Sequence, residues 1–254
     1  VLNPRARAIL AVYVAVSVVQ VIAQATGPDW LAGLTQVLLM PVLVLALLAQ
    51  TLPVQVPGPR TRLVTLTLGA LVGSWLGDTA PRFLDGDPAF LAMVGFFLIA
   101  QICYIAAFRP YAGDSILRHN RGWLAAYGVV VLALIAVCLP GAGVLAPAVL
   151  VYGLCLGSMA VLATGVDRLA WVGGALFLVS DGLIAIDAFS DLDLPAHDVS
   201  VMATYVVAQL LLVLGVIRRD ASADPRHSPA SSGRGSSAAP APGRTTPPPA
   251  TPAP

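Results

Sequence analysis

Residues 168–188 read RLAWVGGALFLVSDGLIAIDA, and this stretch decides the architecture. Between Arg168 and Asp187 every position is apolar or small except Ser180 and Asp181. At 1.5 Å per residue such a run forms a helix of about 30 Å, the thickness of a bilayer's hydrocarbon core. Working outward, comparable runs lie at 7–26, 30–51, 62–80, 88–108, 122–139, 144–164 and 199–217. Pro, Gly or charge interrupts helical periodicity between them: Gly27-Pro28-Asp29, Pro53 through Pro59, Pro81 through Pro88, Leu139 through Gly143, and Leu194-Pro195. Eight spans are predicted. Seven is the alternative, because Pro140 and Pro147 are also compatible with kinks in one long helix pair.

Composition points the same way. Of 254 residues 57% are apolar and only 11% charged, and the mean hydropathy is +0.84. A soluble domain carries about 25% charged residues, so its water-facing surface could not be built from this chain. The fold class expected is therefore an all-α, polytopic membrane bundle in one compact unit over 1–219. From Asp220 onward Ala, Pro, Ser, Gly and Thr dominate, a composition that cannot bury enough apolar surface to offset its ordering entropy. Residues 220–254 are expected to form a disordered cytoplasmic tail, dispensable for chemistry.

All fourteen cations are arginine and all thirteen acids aspartate. With a cytoplasmic N-terminus, the inner side of the spanning region holds ten arginines (5, 7, 60, 62, 109, 118, 121, 168, 218 and 219) and the outer side only Arg82. The positive-inside rule then places both termini in the cytoplasm of a cell-membrane protein. Arg5 and Arg7 before an apolar run ending Ala23-Gln24-Ala25 also resemble a cleavable signal, but the run is long for one, and a retained first helix is expected.

The net charge of +1 excludes nucleic-acid binding through a basic face. Cys103, Cys138 and Cys155 sit singly in apolar runs, and no CxxC, HExxH, GxGxxG, P-loop or GxSxG motif occurs. Neither a metal nor a cofactor is expected. The four-spaced Gly69, Gly73 and Gly77, and the pair Gly153 and Gly157, read as close helix packing.

Ionisable groups inside spanning helices are costly and therefore candidates for function. Asp78 and Asp181 qualify. Counted from Arg62 and Arg168 they lie about 24 and 20 Å from the inner face, at a shared depth on helices running in the same direction. The bland reading has Asp78 capping the break before Pro81 and pairing with Arg82, and Asp181 bonding a neighbouring helix. Gln101 with Tyr104, and Tyr205 with Gln209, project as pairs from single helix faces. Two carboxylates on a shared cavity, one carrying a proton and one ionised, suit acid–base work on an acid-labile C–O bond of a lipid.

These motifs resemble the YhhN family of multi-pass membrane proteins, which includes lysoplasmalogenases. The resemblance rests on Gly77-Asp78, on Gly95-Phe96-Phe97-Leu98 leading to Gln101 and Tyr104, on Gly174-Ala175-Leu176-Phe177 with Ser180-Asp181, and on Met202-Ala203-Thr204-Tyr205 with Ala208-Gln209. It covers about residues 5–217. It implies eight helices and hydrolysis of the vinyl-ether bond of lysoplasmalogen-type lysophospholipids by water, with Asp78 and Asp181 as the catalytic pair. Ser180, Gln101, Tyr104, Tyr205 and Gln209 are the expected substrate-binding residues. Two positions depart from the family pattern: Gln101 stands where His is common, and Met40 precedes Pro41 where Lys is frequent. A small transporter, or a non-catalytic lipid-binding protein of the same fold, is the alternative.

Overall fold

A computed structural model describes residues 2–51 and 61–223. Its helices are α1 (Pro4–Thr26), α2 (Asp29–Thr51), α3 (Arg62–Thr79), α4 (Asp87–Phe108), α5 (Ile116–His119), α6 (Arg121–Cys138), α7 (Ala146–Ala163), α8 (Arg168–Phe189) and α9 (His197–Ala223). Short 3-10 segments at 80–83, 109–114 and 143–145 join some of them. Eight helices, all but the four-residue α5, are long and apolar enough to cross a membrane, and the described residues contain no strand. The chain is a multi-pass membrane protein.

The weakest expected boundary is a real one. Helix α6 stops at Cys138, and Pro147 sits in the first turn of α7, where its missing N–H has no intrahelical acceptor to lose. The seven-span alternative falls with it. Polar caps start α3, α6 and α8: Thr61, Asn120 and Asp167 accept from the backbone N–H of Val64, Trp123 and Leu169 at 3.3, 3.2 and 2.8 Å. Helix α1 belongs to the bundle, since Asn3 Nδ2 donates to Ala49 O at 2.7 Å and Tyr13 Oη to Val206 O at 2.8 Å.

One boundary shifts. Helix α9 continues past Arg219, where the tail was expected to begin, to Ala223. Ionic and polar contacts hold this extra turn: Arg219 Nη2 lies 2.7 Å from Asp114 Oδ2, and Thr61 Oγ1 donates to Asp220 Oδ1 at 2.6 Å. The remainder of the expected tail, 224–254, and the expected break at Pro53–Pro59 with Arg60 lie outside the described residues.

Small residues set the helix spacing. A Cβ built on Gly73 would lie 3.1 Å from the backbone N of Ala100, and one on Gly77 2.8 Å from Phe97 Cδ2, so the glycine face of α3 receives α4. The α8–α9 contact is tighter still, with a Cβ on Gly215 falling 2.6 Å from Ala170 N. Gly153 and Gly157 of α7 face Ile135 and Val131 of α6, at 3.1 and 2.7 Å from such an atom. Close approach at these places pairs α3 with α4 and α8 with α9, and the two intramembrane carboxylates sit on α3 and α8.

Candidate active site

Asp78 lies in the last turn of α3, one residue after Gly77, and Asp181 follows Ser180 within α8. Both are buried, at 7% and 4% exposure, and both line one chamber of about 250 Å³. That chamber's wall also includes Gln36, Arg82, Phe97, Ser180 and Tyr205. The shared depth counted from the inner arginines thus becomes a shared space.

Each carboxylate is oriented by two neutral donors. Asp78 Oδ1 accepts from Gln36 Nε2 at 3.2 Å, and its Oδ2 from Tyr205 Oη at 2.8 Å. Asp181 Oδ2 accepts from Tyr152 Oη at 2.6 Å and from Gln101 Nε2 at 3.0 Å. No ion pair reaches either one among the described residues. The bland expectation that Asp78 pairs with Arg82 is therefore corrected: Arg82 Nη2 donates to Gln36 Oε1 at 2.6 Å, and the Gln36 amide stands between the two charges.

Behind the chamber runs a polar chain. Tyr104 Oη donates to Gln209 Oε1 at 2.7 Å, and Gln209 Nε2 to Ser74 Oγ at 3.0 Å. Tyr104, Gln209 and Gln101 are fully buried and line neither the chamber nor its apolar neighbour. Expected to bind substrate, these three spend their donors inside the bundle: Tyr104 on Gln209, Gln209 on Ser74 of α3, and Gln101 on Asp181. Tyr205 and Ser180 do reach the chamber wall, although Ser180 Oγ also donates to Val201 O at 3.1 Å. Phe97, Phe177 and Tyr205 pack edge to face with centroids 5.8 to 6.4 Å apart, fixing the ring that carries the hydroxyl on Asp78.

A second, smaller cavity of about 80 Å³, almost wholly apolar, adjoins the first between α4, α6, α7 and α8. Phe90, Leu134, Val149 and Phe189 are among its walls. The two share Met93, Phe97, Asp181 and Ile184, so Asp181 stands where a polar space meets an apolar one.

Sequence reasoning did not single out Gln36, Tyr152 or Ser74. The signal was present for Gln36 and Tyr152, each a polar side chain within an apolar span like Gln101, but nothing in their spacing pointed at an aspartate on another helix. Among the described residues no cluster of three or more His, Cys or acidic side chains is placed to hold a metal.

A sequence profile of the YhhN family matches residues 31–216. The chain belongs to the YhhN family. Curated relatives include proteins named lysoplasmalogenase TMEM86B from Mus musculus, 34% identical over 60% of this chain, and from Rattus norvegicus, 31% identical over 75% of it. The match spans 64% of the mouse protein's length and 75% of the rat protein's. The Homo sapiens protein of the same name is 32% identical over 75% of this chain and 77% of its own length. No solved structure gives a significant match.

The two departures from the YhhN pattern now have places. Gln101 donates to Asp181, and its own Oε1 is buried without a partner among the described residues. Met40 is fully buried in the apolar core and lines neither cavity.

Proposed function

We propose that this protein is a cell-membrane hydrolase that cleaves the vinyl-ether bond of lysoplasmalogen-type lysophospholipids to a fatty aldehyde and a glycerophospho-base. The observation that carries the reading is the position of Asp181 on the common wall of a polar chamber and an apolar cavity, with Asp78 across the chamber. An amphiphile whose chain fills the apolar cavity and whose head occupies the chamber has its linkage at the carboxylates. The names of the curated relatives support the same chemistry.

Cleavage of an enol ether is limited by proton delivery to carbon. One aspartic acid donates its proton to the alkenyl carbon remote from oxygen, and the C=C pair becomes the new C–H bond. The resulting oxocarbenium ion is stabilised by the other carboxylate, which accepts a proton from the water that adds to it. The hemiacetal then expels the glycerol hydroxyl, leaving the aldehyde. No cofactor enters this balance. Tyr205 and Gln36 position Asp78, and Tyr152 and Gln101 position Asp181. The bundle over 1–219 carries the activity, with both termini cytoplasmic and residues 220–254 dispensable.

Full-length protein in detergent, given lysoplasmalogen, releases aldehyde; Asp78→Asn and Asp181→Asn each lower the rate by about 10²- to 10⁴-fold, the span of acid–base catalysis. Absence of aldehyde from the unmutated protein defeats the hydrolase reading, and full activity in both variants defeats the aspartate mechanism. Substrate-dependent proton or ion flux in liposomes is the result a transporter would give instead.

A further inference from the structure

The polar chamber has one feature that the aspartate chemistry does not use. Arg82 is the single cation on its wall, and no carboxylate pairs with it among the described residues. Its guanidinium is seated rather than loose. Nη2 donates to Gln36 Oε1, and Nη1 lies against α2 at the buried Gly33, where an added Cβ would come within 2.6 Å of it. Gln36 holds the group away from Asp78 while tying its position to that carboxylate. A guanidinium has five N–H donors in a planar fork, and Gln36 takes one. The rest remain for an anion in the chamber, where Arg82 is itself exposed and is not among the four residues shared with the apolar cavity.

We infer that Arg82 is the anchor for the phosphodiester of the lysophospholipid head group, setting how far the lipid enters and thereby which bond lies at Asp181. The ligand class is an amphiphile with a singly charged phosphate a few bonds from its chain linkage. Neutral lipids of the same chain lack the group that Arg82 recognises. The inference rests on the hydrolase reading only for the identity of the lipid, and its test needs no turnover.

Equilibrium binding to the full chain in detergent is measured for three probes: a saturated 1-O-alkyl lysophosphatidylcholine, which has no bond to hydrolyse, the matching 1-O-alkylglycerol, and glycerophosphocholine. Arg82→Gln is expected to weaken the lysophospholipid about tenfold or more, as loss of a charge-assisted contact does, and to leave the alkylglycerol within about twofold. Arg82→Lys keeps the charge and recovers at least about threefold of that loss. Glycerophosphocholine, lacking the chain, binds the unmutated protein far more weakly than the lysophospholipid. Equal weakening of both lipids by Arg82→Gln, or no weakening of the lysophospholipid, overturns the inference. Glycerophosphocholine binding as tight as the lysolipid overturns the lipid head group as the source of the phosphate. A protein that passes these tests yet releases no aldehyde from lysoplasmalogen keeps its phosphate anchor and loses only the hydrolase reading.

Discussion

Replacing Tyr152 by Phe removes one oxygen and tests how Asp181 is held. The phenol donates to Asp181 Oδ2 at 2.6 Å, the shorter of the two bonds to that oxygen, while its ring forms part of the apolar cavity wall and survives the change. Both donors converge on Oδ2, and Oδ1 has no partner among the described residues, so the pair of bonds fixes the carboxylate plane and leaves Oδ1 to the chamber. A hydrogen bond to a charged acceptor contributes about 1.5–3 kcal/mol. Gln101 still donates to the same oxygen, which places the loss near the lower end, about 1.5–2 kcal/mol. In kcat/KM that is about 10- to 30-fold. The assay is aldehyde release under single-turnover conditions, with helical content followed by circular dichroism and thermal stability in the same detergent. A folded Tyr152→Phe protein whose rate stays within about twofold of the parent would show that these bonds do not position Asp181, and the reasoning would fail.

Gln101→Leu is expected to cost less than Tyr152→Phe, because it removes the 3.0 Å donor and the orphaned buried Oε1 together, and the second loss offsets part of the first; a larger rate loss than that of Tyr152→Phe contradicts this order. Gly215→Ala forces a methyl to within 2.6 Å of the Ala170 backbone N, which cannot swing aside, and should destabilise the α8–α9 pair by about 1–3 kcal/mol in a detergent-unfolding titration; an unchanged midpoint argues against the tight crossing. Val149→Phe fills part of the apolar cavity and should raise KM for long-chain lysoplasmalogens while sparing short ones; an equal effect on all chain lengths means that the cavity does not hold the chain.

Much of the architecture is legible without coordinates because a bilayer imposes a one-dimensional rule. Every backbone polar group must be satisfied within its own segment, so the length of each apolar run translates directly into a helix. The runs at 168–188 and 62–80 reappear as α8 and α3, and even the doubtful break before Pro147 is settled by local chemistry at a helix start. The cost of burying charge is equally local, which is why Asp78 and Asp181 stand out in the sequence.

Partner choice is not local. Gln101 and Tyr104 are three apart on one helix face, yet one turns to Asp181 on α8 and the other to Gln209 on α9. Tyr205 and Gln209, by contrast, both turn to α3, one to Asp78 and the other to Ser74. Gln36 and Tyr152 carry no distinguishing pattern, and only the packing of α2 on α3, and of α7 on α8 at Gly174, brings them within reach of the carboxylates. By itself the sequence determined the eight spans and the two intramembrane aspartates, since hydrophobic length and charge burial are properties of single segments. The tertiary structure alone decided that the aspartates share a chamber, that Asp181 also borders an apolar cavity, and that Arg82 faces that chamber instead of neutralising Asp78. Those outcomes depend on distances of a few ångströms between helices far apart in the chain, and no spacing along one strand of sequence encodes them.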